Sequence, residues 1–319
     1  MAPLAPTVLT LVVFLFPSSS ASEYSAYLKK DFSVSPEQTD GWSFYGKTVV
    51  DSPYIRLTRE LPGQVGGMHS VVPVTFRDWE VRISFHVHGA EKNLFGDGFA
   101  FWYTESPSLY GKAFGSHEVF RGLGIFFDTY ANRKEHPRDH PYVSAMISNG
   151  KVAYNHDEDG ADTELKGCSS DFRNQEHAVA TIRYVKNELS VSLEYPDKSE
   201  TLVCFKVEDV LLPVGYYFGV SAATGDLFDN HDIYSIRTYE VAADRSPEEL
   251  SVDASRIEPS AGVGSSPRAS IPESPQSSSA GRTFLTCIYW LFILASLCGC
   301  VFFGYRYYCK RQRELKRLY

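Results

Sequence analysis

The stretch Gly122-Leu123-Gly124-Ile125-Phe126-Phe127-Asp128-Thr129-Tyr130 says most about how this chain folds. Residues 124–127 are continuously apolar, and residues 98–103, with the sequence Gly-Phe-Ala-Phe-Trp-Tyr, form a second run of the same kind. Short apolar runs bordered by glycine are typical of strands that are buried on both faces. The sequence therefore predicts two buried strands, the later of which opens into a polar loop at Asp128.

Other segments alternate apolar and polar residues, as strands do when one face packs and the other meets solvent. The clearest of them place apolar side chains at Val81, Ile83, Phe85 and Val87, at Ala178, Ala180, Ile182 and Tyr184, and at Leu189, Val191 and Leu193. Residues 23–241 show no long amphipathic helix and no internal repeat. We expect an all-β fold, in which antiparallel sheets pack as a single β-sandwich.

Two apolar segments outside this region predict a membrane protein. Residues 8–16 are apolar and precede small residues, which is typical of a secretory signal peptide over residues 1–22. Residues 283–305 contain no charged side chain and would form a helix about 34 Å long, enough to cross a bilayer. The basic tail at 306–319 places the C-terminus in the cytosol, so we expect a type I single-pass protein with one C-terminal transmembrane helix.

The composition changes between the predicted sandwich and the predicted transmembrane helix. Residues 242–282 are rich in Ser, Pro, Gly and Glu and poor in apolar residues, which predicts a flexible, largely extended stalk. The stalk has no heptad pattern, so a coiled-coil oligomer is not indicated and a monomer is favoured.

The net charge of −8 is unevenly distributed. The last fourteen residues hold six Lys or Arg and one Glu, a sum of +5, so the rest of the chain carries −13. An acidic body argues against nucleic acid as a partner, because phosphate binding requires a basic face. Cations and polyhydroxyl ligands suit such a surface better.

The predicted compartment determines whether the cysteines are expected to form a disulfide. Cys168 and Cys204 are the two that the predicted topology places in an oxidising lumen, so we expect them to form a disulfide. Whether Cys309, beside the cytosol, is acylated stays open.

Four polar loops carry the candidate chemistry. One is Gly96-Asp97-Gly98, a glycine turn with an outward carboxylate, and the next is Asp128-Thr129-Tyr130-Ala131-Asn132. Residues 154–162 contain four acids within six positions, which repel one another unless a cation offsets them. The turn Gly225-Asp226-Leu227 offers backbone amides beside a carboxylate, which suits hydroxyl groups. Carboxylate, amide and carbonyl oxygens are the ligands that Ca²⁺ prefers.

In their order along the chain, these loops resemble the L-type (leguminous-type) lectins, in particular the vesicular integral-membrane branch of early secretory cargo receptors. The motifs that carry the resemblance are Trp42-Ser43-Phe44-Tyr45-Gly46, Tyr54-Ile55-Arg56-Leu57-Thr58, Gly96-Asp97-Gly98-Phe99-Ala100-Phe101-Trp102-Tyr103-Thr104, the opening stretch, Gly167-Cys168, Asp171-Phe172-Arg173-Asn174 and Leu212-Pro213-Val214-Gly215-Tyr216-Tyr217-Phe218-Gly219. The resemblance implies a jelly-roll (concanavalin-like) sandwich with a Ca²⁺-dependent mannose site.

The resemblance also implies roles for individual residues, matched position by position. Ca²⁺ would be held by the carbonyl oxygen of Tyr130 and by the side chains of Asp128, Asn132 and Asp159. The groups implied to bind mannose hydroxyls belong to Asp97, Asn132, His156, Gly225, Asp226 and Leu227. The ring of Tyr130 would pack against the apolar face of the sugar.

Three positions depart from the family pattern. Gly67 stands where a Ser usually touches sugar, His69 stands where a Trp is usual, and Ala131 replaces a Pro. We keep Gly67 among the sugar-site residues and expect a weaker or shifted contact with outer mannoses. The loss of Pro at position 131 should loosen the Ca²⁺ loop.

Other functions fit the sequence less well than the lectin does. A glycan hydrolase needs two facing acids, but the adjacent Asp157 and Glu158 would diverge, and we expect no enzymatic activity. His86 and His88 share a strand face, as a zinc pair would, but no third ligand lies near them in sequence. A protein that binds cargo through polypeptide alone, without sugar, stays an alternative because of Gly67.

The function expected from this sequence is that of a cargo receptor for high-mannose glycoproteins between endoplasmic reticulum, intermediate compartment and Golgi. The tail residues Lys316-Arg317-Leu318-Tyr319 are expected to be a sorting signal that vesicle coat proteins bind. Protonation of the Ca²⁺ carboxylates and of His156 at lower pH should release Ca²⁺ and cargo. The preferred mannose arm and the identity of the cargo stay open.

Overall fold

The computed structural model describes residues 26–92, 94–107, 110–133 and 138–262, together with Arg306. The predicted signal peptide, the predicted transmembrane helix, the last part of the stalk (263–282) and the sorting signal lie outside the described residues. Within the described part of the chain, no helix is long and apolar enough to span a membrane.

The described chain is built almost entirely of β-strands. The strands are β1 (Ala26–Leu28), β2 (Trp42–Gly46), β3 (Val49–Asp51), β4 (Tyr54–Thr58), β5 (Val65–Ser70), β6 (Trp79–His88), β7 (Gly98–Thr104), β8 (Val119–Asp128), β9 (Tyr142–Ala153), β10 (Lys166–Ser169), β11 (Ala178–Val185), β12 (Glu188–Glu194), β13 (Leu202–Val207), β14 (Val210–Leu211), β15 (Tyr217–Ala223), β16 (Asn230–Val241) and β17 (Ser260–Ala261). The helical segments of the described residues are the short α-helix α1 (Pro247–Ser251) and the 3₁₀ turns Lys30–Phe32, His156–Glu158 and Ala254–Arg256.

Two large antiparallel sheets form the sandwich, as the sequence predicted. The eight-stranded sheet has the order β13-β12-β11-β6-β16-β4-β3, and β1 also pairs with β16. The seven-stranded sheet has the order β10-β9-β8-β7-β15-β5-β2. A further small sheet pairs β14 with β17.

The core between the sheets follows the predicted alternation. Val81, Ile83, Phe85 and Val87 of β6 all point inward and are buried. Phe85 packs 4.9 Å, centroid to centroid, from the ring of Phe99 on the facing sheet. Burial of this many apolar side chains is the main force that holds two such sheets together.

A second apolar layer covers the outer face of the seven-stranded sheet. Phe126 of β8 packs 4.2 Å from the ring of Tyr154 and 5.7 Å from that of Phe114. Trp102 of β7 contacts Phe126 from the side, with ring centroids 5.5 Å apart. Because the loops that carry Phe114 and Tyr154 cover this face, β7 is buried along its whole length. The prediction of strands buried on both faces is thereby confirmed.

The predicted disulfide between Cys168 and Cys204 is confirmed, and it joins the two sheets. Cys168 lies in β10 at one edge of the seven-stranded sheet, and Cys204 lies in β13 at one edge of the eight-stranded sheet. The bond therefore closes the sandwich at this side.

The first part of the predicted stalk differs from the extended linker that its composition suggested. Ser246 and Glu249 form a capping box that starts α1, and β17 pairs with β14. Arg245 donates two hydrogen bonds to the carboxylate of Asp78, at 2.6 and 2.8 Å. Arg77 donates to the backbone carbonyls of Glu249 and Val252. Residues 242–262 are thus docked by pairing partners far away in sequence, which composition alone does not reveal.

Candidate cation and carbohydrate site

The candidate site lies at one end of the seven-stranded sheet. Here β7 begins and its neighbours β8 and β15 end, because the strands are antiparallel. In register, Gly98 pairs with Asp128 on one side and with Ala223 on the other. The predicted loops 96–98, 128–132 and 225–227 are therefore brought to the same edge.

The fourth predicted loop, 154–162, reaches this edge across the outer face of the sheet. Tyr154 anchors the start of the loop on Phe126, and the ring of His156 packs edge-on against Phe114 at 5.4 Å. The 3₁₀ turn His156–Glu158 follows and is capped by Asp159, whose backbone is left-handed with φ 51°. The aromatic layer thereby carries an acidic loop over to the end of β8.

Asp159 joins this loop to the loop that follows β8. Its two carboxylate oxygens accept hydrogen bonds from the backbone N–H groups of Asn132, at 2.9 Å, and Arg133, at 3.1 Å. Asp128 shapes the same loop, because its Oδ1 accepts a 3.0 Å hydrogen bond from the N–H of Tyr130. Each aspartate thus uses part of its hydrogen-bonding capacity to fix backbone.

Three metal-ligating side chains converge at this point. Ligand atoms of Asp128, His140 and Asp159 lie within 4.8 Å of one another. His140 Nε2 is 3.8 Å from Asp128 Oδ2 and 4.0 Å from Asp159 Oδ2. Burial raises the pKa of Asp128, and the neighbouring His140 opposes that rise. Ionised carboxylates are costly in such a setting unless positive charge compensates them.

The polar atoms of this cluster fit a hard cation such as Ca²⁺. Asp128 Oδ2 and Asn132 Oδ1 are both buried and accept no hydrogen bond from any described residue. Buried oxygens of this kind are costly unless a donor or a cation meets them. Two carboxylates and an amide oxygen are ligands that Ca²⁺ prefers. The residues present therefore fit the group that the sequence predicted.

Three of the four predicted Ca²⁺ ligands, Asp128, Asn132 and Asp159, thus come together. The fourth, the carbonyl of Tyr130, stays a prediction. His140 was missed, because it lies in none of the four polar loops. Pairing of Asp128 with Tyr142 in the β8–β9 register brings the residues before β9 to Asp128. Strand pairing is thus the signal that would have located it.

A cleft of about 740 Å³ lies beside the cation cluster. Its lining includes the predicted residues Asp97 and His156, and also Asn155, Asp157 and Thr224, which the prediction had not assigned to sugar. A Cβ on Gly225 would lie 3.4 Å from both carboxylate oxygens of Asp97. The loop after β15 therefore lies directly against the carboxylate that faces the cleft.

Tyr130, Asp226 and Leu227 are not among the described residues that line the cleft, but they lie next to the Gly96-Asp97 turn. Gly96 is flanked by Tyr130 and Leu227, since a Cβ at Gly96 would lie 3.3 Å and 3.5 Å from their Cβ atoms. Asp226 is close enough to raise the pKa of Asp97 through its charge. The carbonyl of Asp97 accepts hydrogen bonds from the N–H and hydroxyl of Thr129, at 2.9 and 3.0 Å. The loop 96–98 and the loop 128–132 are thus hydrogen-bonded to each other.

Asp97 has an unusual titration for a carboxyl group. Burial raises its pKa to about 6, the charge of His156 opposes the rise, and Asp128 and Asp226 add to it. A carboxylate accepts stronger hydrogen bonds from hydroxyl groups than a neutral acceptor does. The charge of Asp97, and with it the strength of the hydrogen bonds that it can accept, therefore changes around pH 6.

Gly67 is placed differently from the other predicted sugar residues. It lies in β5, paired with Tyr45 on β2 and Ser221 on β15, and is not among the described residues that line the cleft. A Cβ at Gly67 would be 2.5 Å from the hydroxyl oxygen of Tyr45 and 2.6 Å from Cζ. Tyr45 therefore occupies the space that a serine at position 67 would take. The ring of Tyr45 also packs at 5.5 Å against Tyr110.

The two-sheet sandwich, with potential oxygen ligands and an acid-lined cleft at one edge, has the architecture of a lectin domain. The chain belongs to the Legume-like lectin family, which matches residues 19–247. This match and the strand topology confirm the predicted antiparallel β-sandwich, whereas the predicted transmembrane helix lies outside the described residues.

Known relatives match most of the chain. It is 38% identical over 327 residues to mouse (Mus musculus) "Vesicular integral-membrane protein VIP36", which covers 98% of this chain and 91% of that protein. It is 43% identical over 239 residues to the human (Homo sapiens) "VIP36-like protein", covering 72% and 69%. It is also similar to the crystal structure of the VIP36 exoplasmic/lumenal domain in its Ca²⁺/Man3GlcNAc-bound form. That match has a TM-score of 0.71 and 42% identity, and it covers 74% of this chain and 100% of that one.

Substitution of Gly67 by Ser should destabilise the domain, because the new side chain displaces Tyr45. Overpacking of this kind costs roughly 1–3 kcal/mol of the free energy of unfolding. Urea denaturation of the Gly67→Ser variant measures the cost. The matched control is Gly219→Ser. Gly219 lies in β15 and pairs with His69, two residues from Gly67 in β5, and the nearest atom to a Cβ there lies 3.3 Å away. In a Tyr45→Ala background the cost of Gly67→Ser should largely disappear. An equal cost in both backgrounds would contradict this account of Tyr45.

Proposed function

We propose that this chain is a Ca²⁺-dependent mannose-binding lectin that captures high-mannose glycoproteins as a cargo receptor of the early secretory pathway. The observation that carries the proposal is the meeting of Asp128, Asn132 and Asp159 beside the cleft that Asp97 and His156 line. The Ca²⁺/Man3GlcNAc-bound structure of the similar lumenal domain supports the choice of both ligands. The proposal involves no enzymatic step.

The cation would bind to the oxygen ligands of the cluster described above. When bound, Ca²⁺ supplies the positive charge that allows two buried carboxylates to stay ionised, and it fixes the loops that bear them. Asp159 holds the backbone at Asn132 and Arg133, and Asp128 holds the backbone at Tyr130. The carbonyl of Tyr130 is proposed as a further ligand. These loops are then rigid before sugar arrives, which reduces the entropy cost of binding.

The sugar would be bound by groups from the four loops that meet at this edge of the sheet. We propose that the Asp97 carboxylate accepts hydrogen bonds from mannose hydroxyls and that His156 and the side-chain amide of Asn132 add further contacts. Backbone amides of Gly225, Asp226 and Leu227 would donate from the loop after β15. The half-exposed ring of Tyr130 is available to pack against the apolar face of the sugar. Gly67 is proposed to contribute only to contacts with outer mannoses, because the side chain of Tyr45 covers Gly67.

The cellular role is proposed from the relatives and from the predicted segments together. The similar proteins carry the name vesicular integral-membrane protein, which fits residence in endoplasmic reticulum, intermediate compartment or Golgi membranes. We propose type I topology with a signal peptide at 1–22, a lectin domain that includes 23–241 and a transmembrane helix at 283–305. The residues proposed to bind vesicle coat proteins are Lys316, Arg317, Leu318 and Tyr319. A monomer is proposed.

The direct test of the function is calorimetric titration of the purified chain with a high-mannose oligosaccharide. Binding is expected in Ca²⁺, and EDTA should abolish it. Asp128→Asn and Asp159→Asn should each weaken binding at least about tenfold, since metal sites respond strongly to changes around the ion. Asp197→Asn, on an exposed loop, is the matched control and should bind as the natural chain does.

Two results would count against the proposal. Binding that survives both EDTA and the two cluster substitutions would place the sugar site elsewhere. No binding of any mannose-containing glycan in Ca²⁺ would favour the alternative receptor that recognises cargo through polypeptide alone.

Glycan affinity should fall as the pH falls from about 7.4 to about 5.5, because a carboxyl group with a pKa near 6 changes from ionised to neutral in this interval. The pKa of Asp97 is raised to about 6, so the accepting, ionised form dominates above that value and the neutral form below it. A cation at Asp128 and Asp159 would lower this pKa, so the loss should begin at higher pH when Ca²⁺ is limiting.

The measurement is the dissociation constant of an oligomannose at both pH values and at two Ca²⁺ concentrations. Asp97→Asn should bind more weakly at neutral pH and show a flatter pH profile. Equal affinity at both pH values, under limiting and saturating Ca²⁺, would contradict the role of Asp97.

A further inference from the structure

A buried ion pair lies beneath the loops that border the cleft. Arg173 and Asp229 are almost completely inaccessible to solvent, with side-chain exposures of 5% and 0%. The guanidinium donates from Nε to Asp229 Oδ2 at 2.9 Å and from Nη2 to Asp229 Oδ1 at 2.8 Å. This paired geometry is the strongest that an arginine and a carboxylate can form, and it fixes orientation as well as distance.

The same arginine also holds the loop that leads to Asp97. Its Nη2 donates a 2.8 Å hydrogen bond to the carbonyl of Glu91, and its Cζ lies 3.9 Å from the centre of the Phe95 ring. Phe95 is two residues before Asp97 in the chain. Gly89 lets the loop approach, since a Cβ there would be 2.4 Å from Asp229 Oδ1.

Asp229 belongs to the loop after β15, which lies directly against Asp97. It follows the Gly225-Asp226-Leu227 turn by two residues and precedes β16. Burial raises the pKa of Asp229, and the hydrogen bonds from Arg173 oppose that rise. The ion pair therefore joins the chain next to Asp97 to the chain next to Leu227.

Arg173 is held by a rigid base. The preceding residue, Phe172, is fully buried and packs against Phe85 at 6.0 Å and Phe127 at 5.8 Å. The backbone N–H of Asn174 donates to the carbonyl of Val87 at the end of β6. A guanidinium on such a base can serve as a fixed reference point for two loops.

We propose that Arg173 is a positioning residue for the carbohydrate site: through Asp229, Glu91 and Phe95 it sets the distance between Asp97 and the 225–227 turn. The proposal rests on the proposed mannose-binding function. In the proposed site, both Asp97 and the 225–227 turn bind sugar hydroxyls, so a change in their separation weakens several hydrogen bonds together.

Arg173 contacts the chain beside the sugar-binding residues but not the loops that carry the cation ligands. Among the described residues, its hydrogen bonds and ring contact go to Asp229, Glu91 and Phe95, and none goes to the cation loops 128–133 and 154–163. A change at Arg173 should therefore weaken sugar binding much more than Ca²⁺ binding, because it reaches the cation loop only through the hydrogen bonds between Asp97 and Thr129. An effect through general loss of stability would act on both.

The chain contains a matched ion pair for comparison. Arg245 and Asp78 are bonded through the same two-point geometry, and each side chain is 7% exposed. Asp78 precedes β6, whereas Gly89 follows it, so this second pair lies at the opposite end of the strand. Arg245→Met removes an equivalent interaction without touching the cleft.

The experiment uses the full-length chain in detergent and titrates Arg173→Met, Arg173→Lys and Arg245→Met with Ca²⁺ and with a high-mannose oligosaccharide. Arg173→Met is expected to weaken sugar binding about tenfold to a hundredfold, a range typical of residues that orient ligating groups. Its Ca²⁺ affinity should stay within about twofold of the natural chain, and Arg173→Lys should recover part of the sugar affinity because the charge is kept. Arg245→Met should leave both affinities unchanged.

Hydrogen exchange provides the second readout on the same proteins. The amides of residues 89–92 and 225–229 should exchange faster in Arg173→Met than in the natural chain. In Arg245→Met their exchange rates should be unchanged. Unchanged sugar affinity in a folded Arg173→Met variant, or equal losses of sugar and Ca²⁺ affinity, would overturn the proposal. If Arg173→Met does not fold, the same criteria apply to Arg173→Lys. If the natural chain binds no mannose glycan, the proposed function fails, and equal exchange in all variants would then overturn the positioning role independently.

Discussion

Two buried carboxylates, those of Asp128 and Asp159, lie close together at the end of β8, and like charges in such a place repel strongly. The protein tolerates them by giving each a structural task, since both accept hydrogen bonds from the loop 130–133. Those bonds satisfy some of the oxygen atoms, but Asp128 Oδ2 and Asn132 Oδ1 still need a partner. A divalent cation would meet that need.

The rest of the structure can be understood as the means of bringing these groups together. Antiparallel pairing puts the ends of β8 and β15 beside the start of β7, and the aromatic layer around Phe126 and Tyr154 carries the acidic loop across the outer face. The two loops that carry the cluster, 128–132 and 154–162, are separated in sequence by strand β9. The aromatic residues therefore serve two purposes, because they bury apolar surface and they place Asp159 beside Asp128.

Much of this could be predicted from the sequence, since strand periodicity and the order of polar loops are local signals. The alternation in β6 and the apolar runs of β7 and β8 indicated burial correctly, and Asp128, Asn132 and Asp159 were identified together. What escaped prediction depends on partners distant along the chain. His140 reaches the cluster only through the β8–β9 register, and residues 242–262 are docked by Arg245 on Asp78. At Gly67, the ring of Tyr45 fills the space of a side chain. A comparison of single sequence positions does not show this contact.

The central claim is that one cation cluster organises the sugar site. A crystal structure of the chain grown with Ca²⁺ and a mannose disaccharide tests it most directly. The account predicts anomalous density for one cation bonded to oxygens of Asp128, Asn132 and Asp159, with a mannose hydroxyl within hydrogen-bond distance of the Asp97 carboxylate. A sugar bound away from Asp97, or a bound sugar with no cation among these three residues, would contradict it.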